Sequence, residues 1–218
     1  MMKLAIIGAT GNIGLATLNE ALQRGYEVTA IVRDLKKLDI KNDKLTIAVA
    51  DVFNVEELAA VLAGHNAVVS SFNASWTSLT MYDDFIAGSK AIQQAVKQAG
   101  VKRLLVVGGA GSLEIAPGVQ LVDSPDFPPA YKPGATAARD YLNILKQENE
   151  LDWTFLSPAI NLHPNSHGER TGKYRVGTDQ PVFDENGESF IVIEDLVVAI
   201  IDELENNKFI KRRFTVAY

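Results

Sequence analysis

Leu4-Ala-Ile-Ile-Gly8-Ala-Thr-Gly11-Asn-Ile-Gly14 decides how this chain is read. A short apolar run breaks into a glycine-rich turn, and a helical pattern starts at once with Asn12 and Ile13. Without a Cβ, Gly8 lets the backbone turn sharply off a strand. Gly11 lets peptide N–H groups approach a diphosphate, and Gly14 lets helix and sheet pack closely. The unpaired N–H groups of the first helical turn then face an anion, aided by the helix dipole. Three glycines at this spacing say little alone. Between a strand and a helix at the start of an α/β pattern they predict dinucleotide binding, with a plain strand–helix turn as the alternative.

Outward from the turn, apolar runs alternate with helix-period segments. Leu4–Ile7, Val28–Val32, Leu45–Ala50, Ala67–Ser70, Val101–Val107 and Trp153–Leu156 read as strands buried on both faces, as a parallel sheet requires. Helical stripes are formed by Leu15, Leu18 and Leu22, by Phe85, Ile92, Val96 and Ala99, and by Ala138, Tyr141, Leu142 and Leu145. The short, charged connection Asp34–Lys44 predicts an abbreviated helix. Acidic pairs Glu56-Glu57 and Asp83-Asp84 suit helix starts. The expected fold is α/β: a doubly wound, mostly parallel sheet of the NAD(P)-binding Rossmann type with right-handed crossovers.

Beyond Pro158 the pattern changes. Asn161–Gly172 reads as loop, Lys173–Val176 and Phe190–Ile193 as two short strands, and Asp184-Glu-Asn-Gly187 as a turn between them. Glu194 and Asp195 lead a helix through Leu204, and Arg213–Ala217 forms a last strand. This stretch is too small to fold alone. One domain over residues 1–218 is expected, with a small C-terminal cap of substrate-side elements at about 159–195.

Bulk composition removes several functions. The 218 residues are 47% hydrophobic and 22% charged, ordinary for a soluble globular protein. A net charge of −6 argues against a nucleic-acid partner, and Lys211-Arg212-Arg213 reads as a solvated strand end. With no cysteine there is no disulfide, thiol nucleophile or thiolate metal site. No apolar run reaches membrane-spanning length, and the first residues form a strand rather than a signal peptide. The expectation is a cytoplasmic protein with a small-molecule substrate, no membrane partner, and a monomeric or homodimeric state. The sequon Asn73-Ala-Ser75 then meets no glycosylation machinery.

The cofactor is read at the strand tips. The second strand ends in Arg33-Asp34 rather than in an acid alone, and an arginine fork there suits a 2′-phosphate. This favours NADP(H) over NAD(H). A surface Arg33–Asp34 pair, or Asp34 on a ribose, remains the alternative. Asp51-Val52 ends the third strand, where a carboxylate and an amide can hold adenine or cap the next helix. Ser70–Asn73, including Ser71 and Phe72, and Gly108–Gly111 end the fourth and fifth strands at the same carboxyl edge.

The chain resembles the atypical short-chain dehydrogenase/reductases, and within them the group of biliverdin reductase B and bacterial NAD(P)H-flavin reductases, with NmrA-like relatives. The resemblance spans the chain. It rests on Gly8-Ala-Thr-Gly-Asn-Ile-Gly14, Val32-Arg-Asp34, Val107-Gly-Gly-Ala-Gly-Ser-Leu113, Leu151-Asp-Trp-Thr-Phe-Leu-Ser-Pro-Ala159 and Arg170-Thr-Gly-Lys-Tyr-Arg175. It implies that Gly8, Thr10, Gly11, Asn12 and Ile13 hold the diphosphate and Arg33 the 2′-phosphate. It also implies that Asp51 and Val52 flank the adenine, while Gly108, Gly109 and Pro158 border the nicotinamide.

Departures from the group matter equally. Its superfamily uses a Tyr-x-x-x-Lys acid, but Tyr131 is followed by Ala135 and Tyr141 by Leu145, and no such pair occurs. Carbonyl reduction and sugar epimerisation by that route are disfavoured. The group's catalytic serine is matched only by Ser112, shifted by one, and Ala159 stands where its histidine would be. Tetrapyrrole reduction is therefore disfavoured, whereas flavin reduction needs chiefly that two rings be stacked and oriented. Flavin would then be a substrate rather than a tightly bound group.

Other candidates are weaker. His163-Pro-Asn-Ser-His167 has zinc-helix spacing, but Pro164 and Gly168 break the helix and no Glu follows the first His. His163 can instead protonate a substrate if its loop folds over the nicotinamide. Asn73, Trp76 and Tyr131 are candidates for the substrate pocket. Trp76 stacks on a flat ligand or packs under its loop, and Tyr131 lines the pocket or anchors its loop. Tyr174 and Arg175 read as a solvated strand face or as contacts to an anionic substrate. Two functions follow: an NADPH-dependent reductase of flavin or a similar flat acceptor, or a non-catalytic NADP(H)-binding sensor of the NmrA-like type.

Overall fold

The computed structural model describes residues 2–75 and 78–218. Five parallel strands come first: β1 (Lys3–Ile7), β2 (Glu27–Val32), β3 (Leu45–Val49), β4 (Ala67–Ser70) and β5 (Arg103–Val107). Helices α1 (Asn12–Gln23), α2 (Val55–Leu62) and α3 (Met81–Gln98) lie between them. A small hairpin, β6 (Glu114–Ala116) and β7 (Val119–Gln120), precedes α4 (Lys132–Leu145) and β8 (Asp152–Ser157). The chain ends with β9 (Arg175–Gly177), α5 (Ile193–Asn206) and β10 (Arg212–Ala217).

The main sheet runs β3-β2-β1-β4-β5-β8-β10-β9, parallel throughout except for β9, which pairs antiparallel with β10. The expected doubly wound α/β sheet is thus present. Alternation along β1 shows how both faces are filled. Leu4 and Ile6 enter a core with Leu18 of α1 and Ile200 of α5. Ala5 and Ile7 enter the opposite core, with Leu58 of α2, Ile92 of α3 and Tyr141 of α4. A strand buried on both sides cannot alternate apolar with polar, which is why these runs read as continuously hydrophobic. Strand order reverses between β2-β1 and β1-β4, and such a switch point opens a crevice at the carboxyl ends.

Helix starts follow local chemistry. Asn54 accepts from the Glu57 N–H at 3.3 Å and caps α2, while Glu56 and Glu57 sit in its first turn. After β2 the connection holds only a single 3-10 turn, Leu35–Lys37, capped by Asp34. Among the described residues no helix is long and apolar enough to cross a membrane.

Three expectations at the C-terminal end are corrected. Phe190–Ile193 is not a strand: Ile193 begins α5, and Ile191 and Val192 lead into it as buried chain, Val192 close to Gly168. Isolated bonds hold that segment, with the Tyr218 N–H on the Phe190 carbonyl at 3.0 Å and the Ile193 N–H on the Ser166 carbonyl at 2.7 Å. The hairpin partner of β9 is accordingly β10, although the turn at Asp184–Gly187 forms as expected. Arg213 is not solvated: it is 5% exposed, and its guanidinium binds the Ser112 carbonyl and Asp179. The β6–β7 hairpin has no counterpart in the periodicity.

Candidate cofactor and substrate site

At the crevice the glycine turn is shaped by close approach. Gly8 has φ +79°, and a Cβ there would lie 2.6 Å from the Ser71 carbonyl oxygen on the neighbouring loop. A Cβ on Gly14 would lie 2.1 Å from the Gly8 carbonyl oxygen. Neither position accepts a side chain without moving backbone. Gly11 donates to the Gly8 carbonyl at 3.0 Å and begins α1 with no side-chain cap. The first-turn N–H groups, from Asn12 and Ile13 onward, are therefore not capped by a side chain. Thr10, Gly11 and Asn12 are exposed above them. Beside the turn, the Ser71 hydroxyl is buried with no hydrogen-bond partner among the described residues. Such a group costs about 1–3 kcal/mol, so a polar ligand atom is the natural partner. Open N–H groups, a cradle closed to Cβ atoms and an orphaned hydroxyl together fit a diphosphate and its ribose.

At the tip of β2, Arg33 is exposed and has no ion-pair partner among the described residues. Asp34 accepts from the Lys36 N–H at 3.0 Å instead of pairing with it. Asp51 is exposed and accepts from the Phe53 N–H at 3.0 Å, and Val52 is buried beside it. Capping of α2 is the work of Asn54, not Asp51.

Past the ends of β5 and β8 lies a cavity of about 970 Å³. Its lining brings together Phe72, Asn73, Gly108, Gly109, Tyr131, Pro158 and His163, which the sequence had placed on four separate segments. Small residues make room for packing beneath it. A Cβ on Gly108 would meet the Phe155 ring at 1.9 Å, and one on Gly111 would meet Ala135 at 2.9 Å. Phe72 stacks on Phe85 at 6.1 Å between centroids and lies in the space left by Gly88, whose Cβ would sit 2.5 Å from the ring. Trp76 lies outside the described residues.

Ser112 does not reach this cavity. It is fully buried, with its hydroxyl 3.0 Å from Ser157 Oγ and 3.3 Å from the Gly109 carbonyl. The resemblance-based serine is thus a support beneath the Gly109 floor, because the turn after β5 points it inward. Tyr141 is buried in the core under α4. Tyr174 donates to Asp202 at 2.5 Å and Arg175 to the Phe183 carbonyl at 2.6 Å, so neither faces the cavity.

His163 does line it, exposed at the edge. Its Nδ1 accepts from the Asn165 N–H at 3.2 Å, which assigns the proton of the neutral ring to Nε2. His167, its expected i+4 companion, turns away to Glu194 at 2.8 Å.

What holds the His163 loop in place was not visible in any motif. The Asn12 amide donates to the Pro164 carbonyl at 3.0 Å. Arg170 forks onto Glu20 of α1 through two bonds of 2.7 and 2.8 Å. Glu20 is buried, and the Arg170 bond, aided by Arg24, holds its carboxyl below the usual range against the cost of burial. From the other side, Glu194 accepts from the Gly168 N–H at 3.0 Å. Asp195 accepts from Thr171, Gly172 and Tyr218. Burial would raise the Asp195 carboxyl, but these bonds hold it below its ordinary value. The acids at the start of α5 therefore grip a loop as well as suiting a dipole.

Known proteins resemble this chain along its length. A family model described as NAD(P)H-binding matches residues 8–204. The uncharacterized protein YwnB of Bacillus subtilis is 40% identical over 217 residues, covering 99% of this chain and 98% of that protein. A solved structure of a proposed epimerase from Bacteroides thetaiotaomicron is 46% identical with TM-score 0.92, covering 100% of this chain and 97% of that one. A proposed NADH-flavin reductase from Streptococcus pneumoniae is 39% identical with TM-score 0.85, covering 100% and 99%.

Proposed function

The chain belongs to the NAD(P)H-binding family, and from that premise we propose that it is an NADPH-dependent oxidoreductase acting on flavin or a similar flat acceptor. The observation that carries this reading is the cavity of about 970 Å³ at the ends of β5 and β8. It lies at the upper end of the usual range for small-molecule sites, with room for a cofactor ring and a second ring. Among the described residues its lining carries Asp126, Tyr131 and His163 as ionisable side chains, and the sequence has no Tyr-x-x-x-Lys acid. An acceptor whose own ring takes up electrons suits such a site.

When bound, the reduced nicotinamide supplies the hydride. The chain's own residues bind and orient. Peptide N–H groups of Asn12 and Ile13 receive the diphosphate over the turn that Gly11 closes onto Gly8, and Ser71 Oγ gains a partner nearby. Arg33, with no ion pair among the described residues and beside an Asp34 committed to its turn, receives the 2′-phosphate and selects NADPH over NADH. Asp51 and Val52 border the adenine. Gly108, Gly109 and Pro158 offer a flat floor at the other end. Walls of Phe72, Leu162 and Phe190 exclude water from it. His163 holds a proton on Nε2 at the edge, where a reduced acceptor needs one. This reading places the protein in the cytoplasm, with its nicotinamide pool.

Flavins and one other flat acceptor provide the test. NADPH oxidation is followed at 340 nm with riboflavin, FMN and a simple quinone. Acceptor-dependent oxidation above background supports the reductase; none with any acceptor, in a protein that binds NADPH, favours the sensor.

A further inference from the structure

Resting on the reductase reading, we infer that this cleft selects a neutral planar acceptor, of the quinone or unphosphorylated isoalloxazine class, and discriminates against anionic ones such as FMN. Among the described residues no lysine or arginine lines the cavity, and Asp126, the acid in its lining, stands exposed. The rest of the lining is mostly aromatic, aliphatic or glycine, with the uncharged amides of Asn73 and Asn161 and the Ser124 hydroxyl among it. A phosphate or carboxylate tail carried in with the ring would thus lose water without gaining a cationic partner.

The nearby arginines are all engaged elsewhere. Arg139 of α4 is held by Asp140 at 2.5 Å and Asp123 at 3.3 Å. Arg170 is spent on Glu20, and Arg175 on backbone carbonyls. Arg213 is buried between the Ser112 carbonyl and Asp179. Lys132 and Lys173, on the flanking segments, are not part of the lining. Arg33, exposed and without an ion pair among the described residues, lies at the tip of β2, away from the cavity lining. A bound dinucleotide brings its own negative diphosphate to the glycine turn, which adds to the repulsion of an anionic acceptor.

The electron balance is simple. A quinone taken here gains one hydride and one proton and leaves as the hydroquinone; the reductant is the reduced nicotinamide. A neutral isoalloxazine gains the same two electrons and leaves as the dihydro form.

Binding and turnover separate this inference from the reading beneath it. Riboflavin, menadione and FMN are titrated calorimetrically into the protein saturated with NADP+, and each is then assayed with NADPH. Riboflavin and menadione are expected to bind at least about tenfold more tightly than FMN. Asp126→Asn is expected to narrow the gap between riboflavin and FMN about threefold, as loss of one rim charge implies. FMN binding as tightly as riboflavin overturns the inference, whether or not FMN is reduced. Tight neutral-ring binding with no turnover of any acceptor leaves the selectivity standing and overturns the reductase reading instead.

Discussion

The Asn12 side chain donates to the Pro164 carbonyl at 3.0 Å, so a residue of the dinucleotide turn also holds the loop that carries His163. The two residues are 152 apart in sequence, yet they join the cofactor end of the crevice to its acceptor end. Removing the bond should therefore be felt at both. Asn12→Ala loses about 1 kcal/mol, the net worth of one such hydrogen bond. The expected outcome is roughly a fivefold rise in acceptor KM at saturating NADPH, with faster amide exchange across residues 161–168. An unchanged acceptor KM would show that the strap does not shape the cleft.

Arg33 stands exposed at the tip of β2, without an ion pair among the described residues. Charge-assisted bonds of an arginine to phosphate contribute about 1.5–3 kcal/mol, or roughly a 10- to 100-fold change in affinity. Arg33→Ala should weaken NADPH binding by that factor and NADH binding by less than about twofold. Fluorescence titration with both cofactors measures it. Equal losses would mean that the arginine does not read the 2′-phosphate.

Glu20 ties the strap to α1 as a carboxylate whose folded pKa lies below its ordinary value. A depressed folded pKa means that the unfolded chain takes up the proton first as pH falls. The stabilisation is full above roughly pH 5 and is lost as pH drops through the folded value. Urea midpoints between pH 7 and 3 should therefore fall more steeply for the native protein than for Glu20→Gln. Parallel curves would remove Glu20 from the acid response.

Gly14 and Gly64 separate close approach from conformational strain. A Cβ on Gly14 would sit 2.1 Å from the Gly8 carbonyl oxygen, whereas Gly64, at φ +82°, has nothing within 4 Å. Gly64→Ala should cost about 1–2 kcal/mol, the strain of a left-handed backbone. Gly14→Ala must push α1 off the turn and should cost more, with loss of NADPH binding. Thermal unfolding and a cofactor titration compare them; equal stability costs would contradict the contact.

Much of this architecture was legible because it is local. The alternation of Leu4 and Ile6 against Ala5 and Ile7, the break at Gly8 and the stripe on α1 all lie within one βα unit. The same is true of Arg33 following its strand and of Gly108 and Gly109 following theirs. A parallel sheet then places every such strand end on one edge, so residues that gather at the crevice could be named before they were seen together. Reading failed where burial came from distant chain. Ile191 and Val192 have the composition of a strand, but they are buried as the lead-in to α5, and no described strand pairs with them. Arg213 looked like a surface cation because Asp179 and the Ser112 carbonyl are far away in sequence.

By itself, then, the sequence determined a doubly wound sheet and a glycine turn shaped for a diphosphate, since both arise from backbone sterics and short-range periodicity. The tertiary structure alone decided that Ser112 turns inward to Ser157 while His163 faces the cleft. It also decided that the loop beyond Pro158 is strapped from both sides, by Asn12 and Glu20 and by Glu194 and Asp195. Glu20 and Arg170 are 150 residues apart. No local pattern records such a pair, because its energy exists only once the sheet has brought its ends together.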